Sequence, residues 1–93
     1  NKQGILAQGA YDDYTFTALA NTPILFRFNH SEPMRLSLQV LNNMGDVIAE
    51  ARNDGNGDIP VELVFTSQDD NEYTLRIAPW LGVSEYELIV RKQ

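Results

Sequence analysis

The single imidazole of this 93-residue chain, His30, stands beside a hydroxyl and a carboxylate in His30-Ser31-Glu32. Nucleophilic catalysis needs hydroxyl, base and orienting group to meet in space. Three consecutive residues running into Pro33 do not create that geometry by spacing, so the segment reads as a solvated turn. The chain has no Cys and no second His, which excludes thiol catalysis and a His-rich zinc site. The expectation is a domain without catalytic residues.

Two acidic groups have the chemistry of a hard-cation site. Asp54, Asn56 and Asp58 alternate with glycines in Asp54-Gly55-Asn56-Gly57-Asp58-Ile59, and calcium wants oxygens at alternate positions around a glycine-permitted turn. In an EF-hand register, however, Arg52 falls where the first Asp belongs and Leu63 where the bidentate Glu belongs, with Glu62 one position early. A plain turn between strands is the preferred reading, and a calcium site the alternative. Asp12 and Asp13 form the second group. If the segment is extended, neighbouring carboxylates point to opposite sides, so a turn-forming role is preferred over a shared ion.

Two aromatics fall where no strand pattern demands burial: Tyr11 on an opening turn, and Trp80 in the segment Pro79-Trp80-Leu81-Gly82-Val83. On a sandwich loop each would stack on sugar rings or pack into a peptide groove, giving much contact at low entropic cost. The competing reading of Trp80 is a lid folded over one end of the core. Arg27, Arg35 and Arg76 sit at outward strand positions, where pairing with Glu62, Glu85 or Glu87 makes a solvated face.

These residues must be held by strands. Apolar residues alternate with polar ones in Tyr14 to Ala18, Ile24 to Asn29, Arg35 to Val40, Val61 to Phe65, Tyr73 to Ile77 and Tyr86 to Val90. A short first strand lies between Gly4 and Gly9, with Ala10 to Asp13 as the turn after it. Asn42-Asn43-Met44-Gly45-Asp46 reads as a hairpin turn leading into Val47 to Glu50. No segment sustains a 3.6-residue period. About eight short strands predict an all-β, single-domain antiparallel β-sandwich over residues 1–93, with frayed ends. The formal net charge of -6 disfavours nucleic acid and anionic membranes, and no stretch of 18 apolar residues exists to insert into a bilayer. Beginning at Asn1 without a signal-like segment, the sequence reads as a domain excised from a larger protein.

In order, Gly9 to Thr17, the strand-turn-strand from Leu38 to Ala49 with its Asn-x-x-Gly turn, Leu63-Val64-Phe65-Thr66, Tyr73-Thr74-Leu75-Arg76-Ile77 and Tyr86 to Val90 resemble the bacterial pre-peptidase C-terminal domain. The match runs almost end to end and lies in the ensemble, since each element is generic alone. It departs at the apolar Pro79-Trp80-Leu81 and at Asn71-Glu72, where a glycine often stands. The resemblance implies a jelly-roll-like sandwich appended to secreted or cell-surface bacterial proteases and other hydrolases, often removed in maturation. Related collagenase domains bind fibrous substrate and calcium, with acidic residues near the first strands serving the ion. The function expected is therefore substrate or surface attachment to a protein fibre or polysaccharide, or assistance in export and maturation. The alternative is a structural module packed on a neighbouring domain of the parent chain.

Overall fold

Alternation along each segment dictates the architecture, because a strand that buries every second side chain needs a second sheet to bury it against. In the computed structural model, which describes residues 2–53 and 60–92, eight strands do this: β1 (Lys2–Ala7), β2 (Asp12–Ala18), β3 (Ile24–His30), β4 (Arg35–Leu41), β5 (Val47–Arg52), β6 (Val61–Phe65), β7 (Asn71–Leu81) and β8 (Val83–Lys92). They form two four-stranded sheets in the orders β1-β8-β3-β6 and β2-β7-β4-β5. All pairings are antiparallel, and only the β4–β5 hairpin keeps consecutive strands in one sheet. This is the strand order of a jelly roll.

Between the sheets lie Ile24, Phe26 and Phe28 of β3, Leu36, Leu38 and Val40 of β4, Leu75 and Ile77 of β7, and Tyr86 and Leu88 of β8, all buried. Phe16 packs edge-on to Phe26 with ring centroids 4.9 Å apart, and Tyr73 meets Phe65 at the same distance. These contacts cross from one sheet to the other. The β4–β5 turn forms as its residues require: the Asn42 side chain accepts from the Met44 and Asp46 amides at 2.9 Å, and Gly45 takes φ +84°.

Three boundaries differ from the sequence expectation. Asp12 and Asp13 belong to β2 rather than to a turn, because they continue its ladder opposite Ile77 and Arg76. Pro79-Trp80-Leu81 is the end of β7 rather than a loop, leaving Gly82 alone between β7 and β8. Proline is tolerated there because its carbonyl accepts from the Gly9 amide, at 3.4 Å, on the side where β2 has already ended. Its missing N–H faces the same side and deprives no ladder partner. Arg91 and Lys92 are likewise not frayed, being paired with Leu25 and Ile24.

Candidate functional site

The sheet β2-β7-β4-β5 turns Leu36, Leu38, Leu75 and Ile77 inward, so their neighbours Ser37, Gln39, Arg76 and Ala78 face out. Register then places the two aromatics. Asp12 pairs with Ile77, which sets Tyr11 beside Ala78, and Trp80 follows two positions along β7. Tyr11 and Trp80 therefore lie at the same end of the same outer face as diagonal neighbours. They are 57% and 38% exposed, so Trp80 is no lid on the core.

Each aromatic carries an arginine. The Arg76 guanidinium lies 4.2 Å from the Tyr11 ring centroid and donates twice to Asp13, Nε to Oδ1 and Nη2 to Oδ2, both at 2.9 Å. The hydrogen bonds to Asp13 raise the Arg76 pKa above its ordinary value, so the guanidinium stays charged. Arg52 lies 4.7 Å from the Trp80 ring centroid. Arg52 is on β5 and Trp80 on β7, with β4 between, so this side chain crosses the sheet over its own partner Ser37. That crossing accounts for a serine on an outward position being only 5% exposed. The β4–β7 register shifts between Arg35 and Leu36, so Trp80 is the extra residue of a β-bulge, a device that re-aims a side chain.

The two aspartates diverge as adjacent strand residues must. Asp13 faces out to Arg76, whereas Asp12 faces in and accepts from the Tyr86 hydroxyl at 2.5 Å. Tyr86 spends its only proton on Asp12, so the Tyr14 hydroxyl donates to it in turn. This Tyr14–Tyr86–Asp12 chain joins β2 of one sheet to β8 of the other. Burial first, then the bonds to Asp12 and Tyr14, push the Tyr86 pKa far above the usual tyrosine range. Sequence reading gave Tyr14 and Tyr86 to alternating strands and missed the chain, although Asp12 shares a face with Tyr14 by the two-residue period.

On the opposite sheet an open cleft of about 630 Å³ is lined by Gln3, Ile5, Asn29, His30, Glu85 and Glu87. His30 Nδ1 and the Glu32 carbonyl are 2.7 Å apart, and the Ser31 hydroxyl is 3.3 Å from that of Ser84. The buried Ser84 hydroxyl also accepts from the Ser31 and Glu32 amides, at 3.0 and 2.9 Å. These are the bonds of a braced turn between β3 and β4.

No group of three His, Asp or Glu side chains that could hold a metal occurs among the described residues. Asp54, Asn56 and Asp58 lie outside them. Asp12 and Asp13 do not fit one ion, since they occupy opposite faces. Asp12→Asn and Asp13→Asn are accordingly expected to leave the response of the melting temperature to calcium and chelator unchanged. A response abolished by either substitution would place the ion there instead.

The strand order and two-layer packing define a jelly-roll β-sandwich. No family model matches the chain, and no curated protein matches it. Among solved structures, the pre-peptidase C-terminal domain of collagenase from Bacillus anthracis is similar over 97% of this chain and 86% of that one, with a TM-score of 0.76 and 22% sequence identity. The chain thus has the fold of a pre-peptidase C-terminal domain, as the ordered strand motifs led one to expect.

Proposed function

We propose that this chain is a non-catalytic accessory domain of a secreted or cell-surface bacterial protein, and that it attaches a linked hydrolase or peptidase to an insoluble substrate. The observation that carries this reading is the convergence of Tyr11 and Trp80, from opposite ends of the sequence, on one outer sheet face with an arginine on each. Rigid aromatics on a flat sheet give contact area at little entropic cost, and a tethered domain of weak affinity still raises the effective concentration of its enzyme at a surface. The likeness to a collagenase domain supports the accessory role.

Pull-down on collagen, other protein fibres and polysaccharides tests it. The chain is expected to be retained on one of these matrices, and Trp80→Ala to weaken retention by about tenfold or more, the scale of an aromatic hot spot, with an unchanged thermal melt. Retention on none of them, or full retention of Trp80→Ala, would overturn the proposal.

A second reading rests on the other sheet, whose outer face shows Ile5, 69% exposed, and Val64, 57% exposed. Such a face would pack against a neighbouring domain of the parent chain. Hydrogen exchange on the parent protein separates the two readings: protection of β1 and β6 relative to the isolated chain favours packing there, and equal exchange favours a free module.

A further inference from the structure

We propose that the corner of the outer face formed by Arg35, Arg52 and Trp80 is an anion-binding site whose ligand is an acidic polysaccharide. The inference rests on the attachment reading above and adds the chemical class of what is held. Three residues from three strands meet at this corner. Arg35 pairs with Leu81, next to Trp80, and Arg52 lies over the Trp80 ring. Asn53, which follows Arg52, accepts from the Leu36 amide and donates to the Met34 carbonyl, both at 2.7 Å. Those two bonds clamp the chain on either side of Arg35 against the end of β5, so the two arginine backbones are fixed as neighbours.

Charge distinguishes this corner from the rest of the molecule. Arg27 and Arg76 each face a carboxylate, Glu62 at 3.8 Å and Asp13 at 2.9 Å. Neither Arg35 nor Arg52 has a carboxylate partner among the described residues. Arg35 and Arg52, neither ion-paired among the described residues, thus occupy neighbouring strand positions on a chain of net charge -6. The Trp80 ring holds the Arg52 guanidinium against it, which leaves the N–H edge free for in-plane, bidentate bonding to a carboxylate or sulfate. Ordering that side chain in advance lowers the entropic cost of binding.

A flat sheet face with two arginines at neighbouring strand positions suits a polymer bearing one anion on each ring, where neighbouring rings present neighbouring anions. Nucleic acid is the competing polyanion, and the single-stranded DNA probe below resolves it. Carboxylate and sulfate share the bidentate geometry, and separate probes resolve them.

Affinity electrophoresis of the 93-residue chain through gels containing polygalacturonate, chondroitin sulfate, neutral dextran or single-stranded DNA is the test. Polygalacturonate or chondroitin sulfate is expected to retard the chain in a salt-sensitive way, and dextran to have no effect. Arg52→Gln and Arg35→Gln should each weaken binding by about tenfold, one charge-assisted contact. Arg91→Gln, on the other sheet, should leave it unchanged, and thermal melts should show all three variants folded. No retardation by either acidic polysaccharide, an equal loss in Arg91→Gln, or equal retardation by DNA would overturn the proposal. If a fibre or neutral polysaccharide retains the chain through Trp80 while the acidic polysaccharides do not retard it, attachment stands and the anionic ligand falls.

Discussion

Gly82→Ala is expected to destabilise the domain by about 2–4 kcal/mol in urea or thermal unfolding. Gly82 has φ +95°, a left-handed conformation that costs a residue with a Cβ about 1–2 kcal/mol. The added methyl carbon would also stand 2.7 Å from the Pro33 carbonyl oxygen and 3.4 Å from Met34 Cα. That obstacle is backbone, and Met34 is buried, so the neighbour cannot swing aside as a flexible side chain would. The turn is further tied to the first strand, since the Gln8 amide donates to the Gly82 carbonyl at 2.8 Å and the Gly82 amide to Gln8 Oε1 at 3.0 Å. Gly9 is the internal control, with φ +86° but no atom within 4 Å of an added Cβ. Gly9→Ala should cost only the conformational part, about 1 kcal/mol. Equal losses for the two variants would show that the close approach to Pro33 is not what fixes glycine at Gly82.

The contrast between these glycines shows what sequence patterning makes legible. Alternation identified the inward set of β2, β3, β4, β6, β7 and β8, because period 2 allows a half-buried strand little other arrangement. The Asn42 turn was equally readable, since its side chain caps the turn through local bonds. The end of β7 was not. Pro79 signals a break under local rules, and only the ending of β2 opposite Ile77 makes it harmless there. Asp12 and Asp13 likewise read as turn residues by type, yet each has a partner more than sixty residues away, Tyr86 and Arg76. The candidate binding face has the same character. Tyr11 and Trp80 stand out singly in the sequence, but their shared end depends on the β2–β7 register, and the roles of Arg52 and Arg35 on a bulge and a crossing over Ser37.

Removal of the Tyr86 hydroxyl should expose how the two sheets are joined at the β2–β8 end. Tyr86→Phe is expected to cost about 2 kcal/mol near neutral pH, because the half-buried Asp12 carboxylate loses its donor and the Tyr14 hydroxyl its acceptor. Tyr86→Ala should cost about 3–5 kcal/mol, since it also removes a ring stacked on Phe28 at 4.9 Å. Gly4 faces this ring so closely that a Cβ would lie 2.9 Å from its edge, so the surroundings are shaped to tyrosine. Alkaline pH separates the hydrogen bond from packing. In the unfolded chain Tyr86 ionises near its ordinary pKa of about 10, whereas in the folded one burial and Asp12 keep it protonated. The unfolded state therefore binds fewer protons above that pH, and stability falls as pH rises. Its contribution is fully present below about pH 10, and phenylalanine has no proton to lose. The advantage of the native chain over Tyr86→Phe should thus shrink by up to about 1.4 kcal/mol for each pH unit above 10. Urea unfolding of the pair at neutral pH and between about pH 9 and 11.5 measures it, and a gap that stays constant across that range would mean that Tyr86 ionises in the folded domain as readily as in the unfolded chain.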